Sequence, residues 1–79
     1  MDKKLAQTLA DVFELLPSEV HHGITRESVA SWDSLRQMDL VVSLERDFNI
    51  SLEMEDILKM TSVSSIIQVL LSKGVEIEN

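Results

Sequence analysis

The residues best placed to do chemistry in this 79-residue chain are Asp33, Ser34 and Leu35. They stand where an irregular segment gives way to apolar residues at helical spacing, so Ser34 should lie in the first turn of a helix. The first backbone N–H groups of a helix lack partners within it, and the positive end of the helix dipole lies there. A serine hydroxyl at this point is therefore well placed to hold a phosphate group.

Other arrangements of reactive residues are poorly developed. The chain has no cysteine, which excludes a disulfide or a thiolate metal site. His21 and His22 are adjacent, so their side chains point apart, and no third ligand follows at zinc spacing. The G-x-S-x-G motif of serine hydrolases and the EF-hand pattern are also absent. These patterns therefore predict neither a metal site nor a serine hydrolase.

The net charge of −7, from 14 acidic residues against 7 lysines and arginines, indicates the class of partner. It argues against nucleic acid, whose phosphates would be repelled, and favours proteins with basic docking patches. Neither a signal peptide nor an apolar run near the ~20 residues of a membrane span is visible. The sequence therefore predicts a cytoplasmic protein, and the lack of cysteine agrees with a reducing compartment.

The spacing of apolar residues predicts the elements that position Ser34. One helical face runs through Leu5, Leu9, Val12, Phe13 and Leu16. This pattern predicts a first helix over about residues 3–16, because Pro17 cannot continue it. Residues 17–32 have no sustained period and are predicted as a long ordered loop. Three apolar residues should attach this loop to the core: Val20, Ile24 and Val29.

Three further helices follow the loop. The second is predicted over about residues 34–48, with Asp33 as its N-cap. A short third helix fits residues 54–59, and a fourth runs over about 63–73. The sequence therefore predicts an all-α fold, a small four-helix bundle of three longer helices and one short third helix. A long loop should connect helices 1 and 2.

The length of the chain predicts one domain, residues 1–79, with a flexible tail at 75–79. In and after the second helix, five residues are predicted to be core: Leu44, Phe48, Leu52, Ile57 and Leu58. Some of them could instead line a space for an acyl chain between helices 2 and 3. The inward face of the fourth helix is predicted to hold Val63, Ile66, Ile67, Leu70 and Leu71.

The stretch from Trp32 to Glu45 resembles the attachment region of acyl carrier proteins. In that family the serine of a D-S-L motif carries a 4′-phosphopantetheine arm, which a phosphopantetheinyl transferase takes from coenzyme A. The resemblance implies that Ser34 is the attachment residue, that Leu35 completes the site, and that Asp33 contacts the transferase as well as capping the helix. Because the arm ends in a thiol, a chain without cysteine could carry thioesters while catalysing nothing itself.

The resemblance also implies how partner enzymes recognise the chain. In this family the face after the serine docks onto basic patches of acyl-loading ligases or acyltransferases and of synthases. By residue match, the docking residues are Met38, Asp39, Glu45, Asp47, Met54, Glu55 and Asp56. The alternative for the acidic residues is a solvated face without a partner, and for the methionines a place in the core or at its rim.

Arg36 and Arg46 depart from the housekeeping fatty-acid carriers, which usually place acidic residues at these positions. Either arginine could pair with a neighbouring carboxylate. The departure favours a specialised pathway of polyketide, lipid or surface-polysaccharide type over general fatty acid biosynthesis. We therefore predict a free-standing, monomeric acyl carrier protein with its arm on Ser34. The alternative is a carrier-like helical module that is never modified and serves only in protein interaction or regulation.

Overall fold

Four α-helices form the framework of the computed structural model, which describes residues 1–78. They are α1 (Lys3–Phe13), α2 (Ser34–Phe48), α3 (Met54–Lys59) and α4 (Val63–Ser72). Two short 3-10 helices, Pro17–Glu19 and Arg26–Ser28, lie in the connection between α1 and α2. The predicted all-α bundle with a short third helix and a long first connection is confirmed. Within the described residues, no helix is both long enough and apolar enough to cross a membrane.

The first helix ends at Phe13, earlier than its apolar spacing predicted. Glu14 adopts the left-handed backbone conformation, with φ of 57°. The Leu15 N–H then donates to the Ala10 carbonyl at 2.9 Å, which closes the helix in the manner of a left-handed C-terminal cap. The prediction relied on Pro17, which instead begins the following 3-10 helix. Glycine and asparagine are the residues that usually indicate such a cap, so the glutamate at this position did not predict the end of the helix.

The core lies between the inward faces of the helices. Its fully buried side chains include Leu5, Leu9, Leu40, Leu44, Met60, Val63, Ile66 and Leu70. The sequence prediction was correct for Leu44 and for three residues of α4: Val63, Ile66 and Leu70. Four more predicted residues are partly buried and pack against the core: Phe48, Leu52, Ile57 and Ile67.

Two predicted core residues are instead on the surface. The side chains of Leu58 and Leu71 are 71% and 47% exposed. Leu58 stands on α3, where six residues are too few to define an apolar face. On α4, Val69 is buried and Leu71 is exposed. Both belong to the apolar run Val69–Leu71, within which residue type alone does not show which side chain turns inward.

The long connection between α1 and α2 is attached to the start of α4. Val20 and Ile24 are buried and Val29 packs against the core, as the sequence predicted. The Val63 N–H donates to the Ile24 carbonyl at 2.9 Å, and the Arg26 N–H donates to the Thr61 carbonyl at 2.9 Å. These backbone hydrogen bonds hold the loop in one position and so hold the residues that precede α2.

The two ends of the described chain meet at Asp2. Its side chain caps α1 by accepting from the Leu5 N–H at 2.9 Å, and its second oxygen accepts from the Glu78 N–H at 3.1 Å. Val75 and Ile77 are partly buried against the core. Flexibility of the tail stays a prediction, and Asn79 lies outside the described residues.

Three aspartates have pKa values below the ordinary value of 3.8. At Asp2 burial acts to raise the pKa, but hydrogen bonds from the backbone N–H groups of Leu5, Glu78 and Lys4 outweigh it. The pKa of Asp47 is lowered first by Arg46 and then by the Thr8 hydroxyl. Similarly, the pKa of Asp56 is lowered first by Lys73 and then by the Glu53 N–H. All three carboxylates are therefore stabilised in their charged form in the folded chain.

We expect these carboxylates to stabilise the fold above pH 4 and to lose that effect in stronger acid. Their folded pKa values lie below the unfolded value near 3.8, so their stabilisation is present above that value and is lost as pH falls through the folded pKa. Thermal melts at a series of pH values measure this. Asp56→Asn should flatten the acid limb, whereas Glu55→Gln, at an exposed site of the same helix, should not. An acid limb unchanged by Asp56→Asn would contradict the assignment.

Candidate functional site

Ser34 is the first residue of α2, and its side chain is exposed. The preceding Asp33 is the N-cap, as predicted, and its carboxylate accepts from the Arg36 N–H at 2.9 Å. This bond satisfies one N–H of the first turn, while helix geometry leaves the other N–H groups of that turn without partners in the helix. The Ser34 hydroxyl therefore stands in solvent at the positive end of a 15-residue helix.

The residue before this cap is buried. Trp32 is 3% exposed, and its ring lies against that of Phe13 with centroids 4.5 Å apart. Its indole N–H donates to the side-chain oxygen of Gln37 at 2.6 Å. The Gln37 amide in turn donates to the carbonyls of Ile57 and Met60, each at 3.2 Å. The start of α2 is thus connected to α1 through the ring contact and to the end of α3 through Gln37.

The sequence did not identify Gln37 as part of this arrangement. A signal was present, because Trp32 and Gln37 occupy the N′ and N4 positions flanking the N-cap, where many helices place two apolar residues in contact. Here the same pair of positions holds an indole donor and an amide acceptor. In a hydrophobic staple, the apolar side chains at these two positions pack together. In this chain, Trp32 and Gln37 form a hydrogen bond instead.

Both arginines that depart from the usual acidic pattern have partners within the chain. Arg36 donates to the Val12 carbonyl near the end of α1 at 2.9 Å and pairs with the Glu14 carboxylate at 2.6 Å. Arg46 pairs with Asp47 at 2.8 Å. The suggested pairing with a neighbouring carboxylate agrees with the structure for Arg46, whereas the partner of Arg36 lies 22 positions away along the chain. Arg36 also joins the end of α1 to the first turn of α2.

Five large apolar side chains of α2 and α3 are exposed. Leu35, Met38 and Val42 follow at helical spacing on α2 and are 73%, 55% and 58% exposed. Met54 and Leu58 stand one turn apart on α3 and are 69% and 71% exposed. Side chains of this size normally lie inside a protein when they can, so five exposed ones on two successive helices indicate a contact site for another molecule. We call these five residues the apolar rim.

The predicted docking acids fall into two groups. Asp39 and Glu55 are exposed on α2 and α3. The other three hold contacts within the fold: Glu45 accepts from the Leu52 N–H at 2.8 Å, Asp47 accepts from the Thr8 hydroxyl at 2.8 Å, and Asp56 pairs with Lys73 at 2.7 Å. Any docking by these three acids would therefore compete with contacts that hold α2, α3 and α4 in place.

The chemistry of the Ser34 region suits a phosphodiester. An exposed primary hydroxyl at a helix start can be reached by a modifying enzyme, and the positive end of the helix favours the negative charge of the product. Across residues 1–78, no cluster of three or more histidine, aspartate or glutamate side chains is placed to hold a metal ion. His21 and His22 are both exposed in the loop.

Comparison with known proteins identifies the family. A family model described as phosphopantetheine attachment site matches residues 3–70. The chain belongs to the acyl carrier protein family. It is similar to the solution structure of holo acyl carrier protein from Geobacter metallireducens, with 25% sequence identity and a TM-score of 0.77. The similarity covers 87% of this chain and 79% of that one. A search of curated proteins finds no match.

Family membership defines the cofactor and the type of activity. The carrier has 4′-phosphopantetheine as its covalently attached cofactor. Acyl carrier proteins are not catalysts, and they interact with phosphopantetheinyl transferases and with synthase and acyltransferase enzymes. The resemblance that the sequence suggested is thereby confirmed at the level of family, fold and cofactor.

Proposed function

We propose that Ser34 is the attachment residue and that the carrier, as a single domain, presents acyl or related groups as thioesters to partner enzymes. The observation that carries the proposal is the exposed Ser34 hydroxyl at the first residue of α2, directly after the Asp33 cap. Leu35 follows in the apolar rim and completes the D-S-L motif on which the family resemblance rests.

The roles of the residues follow from their positions. Asp33 holds the first turn of α2 by its bond to the Arg36 N–H and leaves the Ser34 hydroxyl accessible to the transferase. The unpaired N–H groups of that turn favour a phosphodiester anion on Ser34. When attached, the phosphopantetheine arm supplies the thiol that forms the thioester. The protein itself supplies the fixed attachment point and the surface around it.

That surface suits partners with an apolar patch and basic residues. The apolar rim supplies contact area, and the exposed acids Asp39 and Glu55 supply charge. We propose that the phosphopantetheinyl transferase, the acyl-loading ligase or acyltransferase and the synthase enzymes dock here. Met38 and Met54 are flexible enough to fit more than one partner.

A specialised pathway agrees with the two arginines. Arg36 and Arg46 place positive charge on α2, and both are neutralised by carboxylates of this chain. A basic patch on a partner enzyme that is complementary to a helix carrying only acidic side chains would face two arginines on α2 of this chain. We propose a cytoplasmic, monomeric carrier serving a polyketide, lipid or surface-polysaccharide type of pathway rather than housekeeping fatty acid synthesis.

The first experiment is an intact-mass measurement after incubation with coenzyme A, Mg²⁺ and a broad-specificity phosphopantetheinyl transferase. A carrier should gain one phosphopantetheine, roughly 340 Da from its covalent formula, the group that supplies the thiol. The rival function, an unmodified interaction module, predicts no gain from a folded protein with its own or any other transferase.

Charge reversal at the exposed acids should weaken processing by partner enzymes. Asp39→Lys and Glu55→Lys should each lower kcat/KM of a loading enzyme about 3- to 30-fold at low salt, mainly through slower association. Circular dichroism should remain unchanged, because both side chains are exposed. Glu27→Lys, at an exposed site of the 3-10 helix Arg26–Ser28, is the matched control. Equal kinetics for all variants at low salt would contradict an acidic docking surface.

Glu45→Lys is less suitable for this test. The Glu45 carboxylate accepts from the Leu52 N–H, so a lysine there would remove a contact between α2 and the segment leading to α3. Its effect on partners could not be separated from its effect on the fold.

A further inference from the structure

Gln37 is a buried polar residue one helical turn beyond Ser34, on the same face of α2. Its exposed fraction is 8%. Its side-chain oxygen accepts from the Trp32 indole at 2.6 Å, and its side-chain nitrogen donates to the Ile57 and Met60 carbonyls at 3.2 Å. These bonds hold one side chain between the loop before α2, the first turns of α2 and the end of α3.

The core next to Gln37 is filled with apolar side chains. Leu40, Leu44 and Met60 are each 0% exposed. A surface cleft of about 420 Å³ lies between α3 and α4, and another of about 230 Å³ lies between α1 and α2. A third, of about 470 Å³, lies between α1 and the following loop. Gln37 lines none of these three clefts. None of them therefore provides a path past the Gln37 side chain into the core.

An apolar acyl chain gains free energy when it leaves water. A chain attached through Ser34 that entered the bundle between α2 and α3 would have to displace Gln37. The move would leave the Trp32 N–H and the Met60 carbonyl buried without the Gln37 side chain as their partner, which is unfavourable. The Ile57 carbonyl would keep its hydrogen bond from the Met60 N–H. A short or polar acyl group has little apolar surface to bury and loses nothing by remaining in solvent.

We propose that Gln37 is a specificity-determining residue of the carrier. By linking Trp32 to the end of α3, it closes the core beneath Ser34 to long alkyl chains. The cargo class that suits this carrier is therefore short or polar acyl groups, which need no shelter inside the protein. This proposal rests on the proposed attachment at Ser34 and adds the class of group that is carried.

The test compares acetyl and octanoyl forms of the carrier, loaded from the corresponding acyl-coenzyme A and checked by intact mass. In the wild type, hydroxylamine should cleave the two thioesters at rates within about twofold of each other, because neither chain is buried. The methyl signal of Met60, which is 0% exposed, should be the same in both forms. Octanoyl protection of fivefold or more, or a shifted Met60 signal, would overturn the proposal.

The variant arm uses Trp32→Phe combined with Gln37→Met. It replaces both partners of the Trp32–Gln37 hydrogen bond by apolar side chains of similar size, and it leaves the Met60 carbonyl without the Gln37 amide. A thermal melt therefore accompanies the cleavage assay to show that the variant is folded. The flexible methionine can move aside, so octanoyl cleavage should slow about fivefold or more relative to acetyl cleavage. Glu27→Met, at an exposed site that lines none of the three clefts, is the control and should behave as the wild type. Absence of protection in the double variant would show that Gln37 is not the determinant.

Two further arms keep the result interpretable. Gln37→Met alone provides the same comparison if the double variant does not fold. If intact mass shows no loading of the wild type, the proposed attachment has failed rather than the role of Gln37. Ser34→Cys, alkylated with a haloacetamide carrying a pantetheine-length linker and either an acetyl or an octanoyl group, then reports burial through the Met60 methyl signal.

Discussion

Ser34→Ala should lose the entire phosphopantetheine mass gain while keeping the melting temperature of the wild type. The hydroxyl is the proposed nucleophile, so its removal leaves the transferase without an acceptor. The side chain is exposed and Asp33 provides the cap, so the change in stability should stay within about 0.5 kcal/mol. Intact mass and a thermal melt of the same sample measure the two effects.

Two serines near Ser34 provide matched controls. Ser31 lies before the cap and donates to the Phe13 carbonyl at 3.2 Å, and Ser43 is half-buried within α2. Ser31→Ala and Ser43→Ala should both keep the full mass gain. A gain that persists in Ser34→Ala, or disappears in either control while that variant remains folded, would place the attachment elsewhere.

Trp32→Ala should produce the largest loss of stability of the substitutions considered. The ring is 3% exposed and lies 4.5 Å from the Phe13 ring, and its N–H holds Gln37. Removal of such a side chain costs about 3 to 5 kcal/mol, a large share of the stability of a small domain. Thermal or urea unfolding followed by circular dichroism at 222 nm measures this loss.

Trp32→Phe separates packing from hydrogen bonding. Phenylalanine keeps a ring against Phe13 but removes the N–H, which leaves the Gln37 oxygen buried without its donor at a cost of about 1 to 3 kcal/mol. Leu35→Ala is the control, because Leu35 is 73% exposed and should change stability by less than about 0.5 kcal/mol. Equal stability of Trp32→Ala and Leu35→Ala would show that Trp32 does not hold the loop to the bundle.

The sequence prediction was most accurate where the structure depends on residues close together in the chain. The bounds of α2 and α3 agreed with the structure because Asp33, Asn49 and the segment after them carry local capping and turn signals. The end of α1 was misplaced because Glu14 takes a left-handed conformation that its residue type rarely announces. Local signals of this kind decide where a helix begins and ends.

The side chains of the predicted docking face show what local signals leave open. Glu45, Asp47 and Asp56 look alike in sequence to Asp39 and Glu55, but only the first three accept bonds or pair within the fold. Asp47 and Asp56 also have local partners in Arg46 and the Glu53 N–H, but Leu52, Thr8 and Lys73 lie 7 to 39 positions away from the acids that they contact. Pairing over such separations depends on how the helices pack, so the residue type of each acid could not reveal it.

The sequence by itself determined the all-α class, the position of Ser34 at a helix start and the resemblance to acyl carrier proteins, because periodicity, capping and a short motif are local properties. Tertiary structure alone decided that Trp32 is buried, that Gln37 joins α2 to α3, and that Leu58 is exposed. A buried polar side chain is stable only when distant groups satisfy its hydrogen bonds, and those groups come together only when the chain folds.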